Sequence, residues 1–251
     1  MSTITLITGG SRGLGRSAAL ALAKNGQDVL FTYLHSEQEA HALVAEINAL
    51  GQTAVALPLD VGNSQLFPAF AEQVRAALNI HWQRSDFDFL INNAGSGVYA
   101  SFADTTEAQF DLMLNIHLKG VFFLTQTLLP LIKNGGRIVN VSSGLTRFSF
   151  AGYTAYAIMK GAVETLTRYL ALELGNRNIR VNTLAPGAIE TDFGGGLVRD
   201  NTELNQLIAS KTALGRVGLP DDIGDIIAVL VSDKTGWING QRIEAAGGIF
   251  L

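Results

Sequence analysis

Apolar positions along this chain fall into two kinds of run that alternate from end to end. Short runs rich in β-branched residues, without polar alternation, occupy positions 4–8, 28–33, 53–57, 87–91, 137–141, 179–184 and 241–244. Uninterrupted apolar runs of this length read as strands buried on both faces. Between them lie stretches with helical periodicity at 16–23, 36–50 (closed by Gly51), 64–78, 110–133, 154–174 and 221–231, and Pro130 is expected to bend or end the fourth. Buried strands separated by helices predict an α/β fold, a doubly wound parallel sheet of about seven strands with helices on both faces. No tandem repeat, low-complexity tract or linker interrupts the pattern, so residues 1–251 are expected to form a single domain.

In such sheets ligands bind beyond the carboxyl ends of the strands. The polar and glycine clusters of this chain sit at those ends: 8–15, Asp60-Val61, 92–97, Ser142-Ser143 and Pro186-Gly187. The first strand runs straight into Gly9-Gly10-Ser11-Arg12-Gly13-Leu14-Gly15 and then into the helix-forming run 16–23. Strand, glycine-rich turn and helix in that order suit a dinucleotide. Glycines let the backbone approach a pyrophosphate, and the helix N-terminus offers free N–H groups and a positive dipole end.

Tyr156 and Lys160 stand at i and i+4 on a predicted helix, so phenol and ammonium share one face. A neighbouring cation is expected to lower the phenol from its ordinary ~10 and make it a proton donor or acceptor near neutral pH. Ser143 lies one strand-end loop upstream and can donate a hydrogen bond to a substrate oxygen; Ser142 reads as its structural neighbour. Tyr153, with Ala157 rather than lysine at i+4, reads as pocket wall or helix-start packing.

Composition narrows the classes. The 251 residues are 47% hydrophobic and 16% charged with a net charge of −4, which excludes disorder and, with no basic cluster, argues against a nucleic-acid partner. Zero cysteines exclude disulfides, thiol catalysis and Cys-based metal sites, fit a reducing cytosol, and leave no metal site expected. The first strand begins at about residue 4, which leaves no room for a signal peptide, and no apolar run approaches the ~20 residues of a membrane span. The expectation is a cytoplasmic chain with no membrane partner.

These residues together resemble the short-chain dehydrogenase/reductase family over nearly the whole chain. The segment 8–15 resembles the family's cofactor turn, Asn92-Asn93-Ala94-Gly95 its signature after the fourth strand, and Pro186-Gly187 with Ile189 and Thr191 the segment lining the nicotinamide. Ser143, Tyr156 and Lys160 occupy the catalytic positions. The resemblance implies a Rossmann-like fold and an NAD(P)-dependent oxidoreductase that interconverts a ketone or aldehyde and an alcohol by hydride transfer. It makes Tyr156 the general acid/base, has Lys160 hold the ribose hydroxyls, and places cofactor contacts at Gly9, Ser11, Arg12, Gly13, Leu14, Gly15, Asn93, Ala94 and Gly95. Asp60 and Val61 resemble the adenine contacts. It also implies a homo-oligomer, a tetramer or dimer built on the helices near 110–133 and 154–174 and on the C-terminal strand. An epimerase or dehydratase using the same Tyr/Lys pair, and a non-catalytic dinucleotide sensor or scaffold, are the rival functions.

The chain departs from the family pattern at two places. Many members carry asparagine immediately before a Leu-x-Gly-Val-Phe stretch in the long helix; here Leu118 to Phe122 follows His117, and Asn115 lies on another side of that helix. His117 either replaces that asparagine or merely packs. NAD-specific folds place an acid at the end of the second strand, but positions 33–36 are Tyr33-Leu34-His35-Ser36. Arg12, joined by His35 and Ser36, could reach a 2′-phosphate, so NADP(H) is favoured over NAD(H); the alternative makes Arg12 a solvated charge. The substrate pocket is expected from 96–99, 145–153 and 188–212, with Phe148, Phe150 and Tyr153 as apolar wall. Gly194-Gly195-Gly196 is expected to hinge a lid over 188–215.

Overall fold

The computed structural model describes residues 2–251. In chain order its elements are β1 (Ile4–Ile7), α1 (Gly13–Lys24), β2 (Asp28–Tyr33), α2 (Glu37–Ala49), β3 (Ala54–Pro58), α3 (Phe67–Trp82), β4 (Phe87–Asn92), α4 (Glu107–Leu114), α5 (Gly120–Leu128), β5 (Ile132–Val141), α6 (Thr154–Glu173), β6 (Arg180–Pro186), α7 (Leu197–Asp200), α8 (Thr202–Ser210), α9 (Pro220–Leu230) and β7 (Arg242–Ala245). The seven strands form one sheet in the order β3-β2-β1-β4-β5-β6-β7, all parallel. The order reverses between β1 and β4, and the crevice above that point is where such folds take their ligands.

Two apolar layers hold the helices to the sheet. One face packs Ile7, Phe31 and Val139 against Leu22 of α1, Leu43 of α2 and Ile223 and Ile227 of α9. The other packs Leu6, Phe87 and Ile138 against Phe70 and Val74 of α3, Leu124 of α5 and Ala171 of α6. Each fully buried aliphatic or aromatic side chain here contributes roughly 1.5–3 kcal/mol. The strands carry apolar side chains on both faces, which is why their runs show no alternation.

The predicted helix over 110–133 is corrected. It starts earlier, at Glu107 behind a reciprocal cap between Thr106 and Gln109, widens to a π turn over Asn115–Lys119, and resumes as α5. Pro130 sits in a 3₁₀ turn, Leu129–Leu131, and β5 begins at Ile132, so Lys133 belongs to the strand. The early start of β5 is absorbed by a register shift between Phe87 and Phe89 of β4. The expectation of no membrane-length apolar segment also needs correction. Residues 107–131 are long and apolar enough to cross a bilayer by length and composition; here the segment packs against α3 and α6. Helix α1 begins at Gly13, inside the glycine turn rather than after it, and α7 and α8 were not expected.

Candidate active site

The glycine turn is built by contacts that only glycine permits. A Cβ on Gly15 would stand 2.1 Å from the Gly9 carbonyl oxygen, and one on Gly9 would stand 2.9 Å from the Ala94 Cα. The β1 and β4 ends are laced together: Thr8 Oγ1 accepts from the Asn93 and Ala94 amides, both at 3.0 Å, and Asn93 Nδ2 donates to the Thr8 and Gly9 carbonyls at 3.0 and 3.1 Å. Asn93 is thereby architectural. Thr8, left out of the expected cofactor contacts, is the residue that joins the two strand ends. The α1 N-terminus has no side-chain cap, so its first amides stay free for an anion. Ser11 is buried, Leu14 is half-buried, and Gly13 faces Thr191 of the segment after β6.

The outer cofactor contacts are arranged less compactly. Asp60 Oδ1 accepts from the Gly62 amide at 2.8 Å, and Val61 packs into the layer beneath, its carbonyl against Gly120. Gly187 abuts Ala246, and Ile189 pairs with Gly218. His35 is exposed and Ser36 half-buried beyond β2. Arg12 is not gathered onto them: its ion-pair partner is Asp192, at 4.0 Å, across the opening.

Tyr156 and Lys160, on the first turns of α6, are both buried. The Ser143 hydroxyl accepts from the Leu145 amide at 3.2 Å, which leaves its own proton free to donate. Lys160 Nζ donates to the Val141 carbonyl at 2.7 Å and lies 5.6 Å from the Tyr156 ring centre. Ser142 donates to Glu164 at 2.7 Å, the structural role expected of it.

The proton affinities differ from the expectation. Burial pushes the Tyr156 phenol up, with hydrogen bonding from Ser143 pulling the other way. Burial lowers Lys160 to about 8. In this structure desolvation outweighs that hydrogen bond, so the phenol holds its proton at neutral pH, the form a general acid requires.

His117 lies within the π turn, buried, with its ring edge-on to Tyr156 at 5.0 Å. Its Nε2–H donates to the Ser96 carbonyl at 2.7 Å, leaving Nδ1 a bare lone pair that is buried without a partner. Burial, and then the charge of Lys160, hold the imidazole down to about 3, so it is neutral.

Aromatic rings gather around the phenol. Phe193 lies 5.5 Å from Tyr156, Tyr99 packs edge-on to Tyr153 at 5.5 Å, and Phe150 lies 6.4 Å from Tyr153. Phe148 is corrected as a wall residue: it turns away to pack on Phe250, 5.1 Å between centres, and under Arg147. Phe193 and Tyr99 lie in the expected pocket segments 188–212 and 96–99, although they were not named among the wall rings. After Phe193, Gly194, Gly195 and Gly196 all have positive φ (62°, 77° and 80°), a run only glycine adopts without strain.

A doubly wound sheet with a glycine turn at its switch point, and a half-buried serine with a buried tyrosine and lysine at the same strand ends, defines a nucleotide-dependent oxidoreductase. The comparisons agree. The pattern of a family described as enoyl-(acyl carrier protein) reductase matches residues 9–249. The chain is 36% identical to tetrahydroxynaphthalene reductase PfmaG of Pestalotiopsis fici, covering 98% of this chain and 90% of that one. It is 32% identical to versicolorin reductase 1 of Aspergillus parasiticus, covering 98% and 96%. The crystal structure of the angucycline C-6 ketoreductase LanV with bound NADP superposes with a TM-score of 0.94 at 32% identity, covering 99% and 95%. This chain belongs to the short-chain dehydrogenase/reductase family, and it is an enzyme of the reductase kind.

Proposed function

We propose that this enzyme reduces a ketone to an alcohol with NADPH, using Tyr156 as the proton donor. The observation that carries the reading is the convergence of Ser143, Tyr156 and Lys160 on one buried point beside the glycine turn. The residues fit a dinucleotide: the turn leaves a cradle that a Cβ would fill, the α1 amides are uncapped, and the Lys160 ammonium makes one hydrogen bond of the three it can donate. When bound, the reduced nicotinamide supplies hydride to the carbonyl carbon. Ser143 donates a hydrogen bond to the carbonyl oxygen, polarising it and holding it by the phenol. Tyr156 then delivers its proton to that oxygen as negative charge develops there. Lys160 offers its free N–H groups to the ribose hydroxyls and favours the phenolate left behind. In this reading His117 Nδ1, buried without a partner, accepts from a water that the lysine holds.

The preference for NADPH rests on the missing acid after β2, on Arg12 at the mouth of the turn, and on the NADP bound by LanV. The rings of Tyr99, Phe150, Tyr153 and Phe193 suit a flat aromatic ketone. The hydroxynaphthalene and angucycline substrates of the relatives point the same way. Residues 188–215 serve as a lid on the Gly194–Gly196 hinge.

Purified protein is mixed with NADPH, and separately NADH, over aliphatic and polycyclic aromatic ketones, beside a Tyr156→Phe control. NADPH oxidation that falls by about 10²–10⁴-fold in the control supports the reading, the range expected when a general acid is deleted. Turnover with NADH alone overturns the cofactor assignment. Tight NADPH binding without turnover of any carbonyl, or of any alcohol with NADP, favours the sensor. For His117, the Asn variant is expected to move the alkaline limb of the rate–pH profile, to which the burial-lowered Lys160 ammonium contributes. An unchanged profile removes the histidine from the mechanism.

A further inference from the structure

Behind Ser143 runs a line of alternating charges that the mechanism does not use. Glu164, on the α6 turn after Lys160, accepts from Ser142 Oγ and Thr146 Oγ1, both at 2.7 Å, and from Arg242 Nε at 2.8 Å. Arg242, the first residue of β7, sends its second amino group to Thr146 Oγ1 at 3.1 Å and to the Ser143 carbonyl at 3.4 Å, and its third nitrogen to Glu244 at 2.8 Å. Glu244 is gripped by Arg147 through contacts of 2.7–2.9 Å, and Arg147 also donates to the Ile249 and Phe250 carbonyls at 2.6 and 3.3 Å. The order is Glu164, Arg242, Glu244, Arg147, with signs alternating, from the least exposed member (13%) to the most exposed (36%).

We propose that Arg242 is a positioning residue for the reduction, holding Ser143 against the substrate oxygen through the Ser143 carbonyl, Thr146 and Glu164. Three features single it out. Its guanidinium touches both ends of the 143–146 turn and Glu164 of the helix carrying Tyr156 and Lys160, and it braces the Thr146 hydroxyl, which itself lies 2.9 Å from the Ser143 carbonyl. A planar fork fixes three directions at once, where a point charge fixes none. The Ser143 side chain is itself oriented by the Leu145 amide of that turn, so a turn that slips carries the hydroxyl with it. A displacement of about 1 Å at a group that acts in the transition state is enough to cost on the order of 10²-fold in rate. The proposal rests on the assignment of Ser143 as substrate hydrogen-bond donor.

The test compares Arg242→Met, Arg242→Lys and Glu164→Gln in the wild-type and Ser143→Ala backgrounds, with NADPH affinity by fluorescence and melting temperature as checks on the fold. Arg242→Met is expected to lower kcat about tenfold with the ketone KM within twofold and NADPH affinity unchanged. Lysine is expected to restore part of the loss, because it returns the charge without the fork. In the Ser143→Ala background the same change is expected to cost less than twofold, since the group it positions is gone. An equal loss in both backgrounds, or full activity in Arg242→Met, overturns the proposal. If Arg242→Met fails to bind NADPH, Glu164→Gln and Arg242→Lys carry the same cycle with the same two outcomes. Should the wild type turn over no carbonyl, the assignment of the site fails, and hydrogen exchange then judges the positioning alone. Faster exchange of the 143–147 amides in Arg242→Met supports it, and unchanged protection overturns it.

Discussion

Lys160 keeps an ammonium where almost no water reaches it, with one carbonyl as its partner. Its affinity for the proton is lowered from 10.5 to about 8 by burial, so the folded state disfavours the charged form. The sign follows: between about pH 8 and 10.5 the unfolded chain binds the extra proton, and stability rises with pH across that window. Lys160→Met is expected to be inactive yet to melt higher than wild type at pH 7, and to lack the alkaline rise. A melting series from pH 7 to 10 checks both, and a lower melting point at pH 7 would sink the idea. The same residue shows how much of the site a sequence can convey. Spacing on α6 places Tyr156 and Lys160 on one face, because i and i+4 are neighbours in any helix. The direction of the tyrosine's shift depends on how deeply the rest of the fold buries it, and a local motif carries no information about depth.

At the scale of elements, the glycine turn, the strand ends and α6 were legible because each rests on local chemistry. The π turn at His117 and the helices α7 and α8 were not. The π turn keeps the apolar periodicity on either side of it, and α7 and α8 follow three glycines that argue for a loop. Helix α9 carries a start signal that the structure explains fully. Asp222 accepts from the Leu219 amide at 2.7 Å and takes a two-pronged ion pair from Arg216, and these bonds, Arg216 first, lower its carboxyl to about 2. A depressed carboxylate contributes stability above its unfolded value near 4, and that contribution is lost as pH falls toward 2. Asp222→Asn is expected to lower the melting temperature by a few degrees at pH 7 and by clearly less at pH 2.5, where the contribution is already fading. An equal loss at both pH values would mean that the charge plays no part.

At the scale of the molecule, α5 and α6 turn apolar side chains outward. Phe122 and Phe123 are partly exposed, Tyr169 is 62% exposed and Leu172 is 81% exposed. We propose that these outward apolar side chains belong to an association surface, with a second copy of the chain as its occupant. Leu172→Asp is expected to shift the elution of the protein toward the mass of one chain, 26.7 kDa, with the NADPH site intact. Elution of the wild type itself at that mass would end the proposal.

The order of the strands has one more consequence, for how the chain is made. β1 is synthesised before both strands it pairs with, β2 and β4, and its second neighbour is residues 87–92. At ribosomal rates of about 5–20 residues per second, the first strand waits several seconds with one edge bare. The glycine turn cannot close until then, because Asn93 and Ala94 are what it closes on. Ser143 waits longer still, since Arg242 lies 99 residues further along the chain. Parallel pairings of such wide sequence separation fold slowly. A nascent chain halted before β7 would thus carry a finished cofactor cradle and an unfinished catalytic turn, and the nucleotide could act as a folding template before it acts as a reductant.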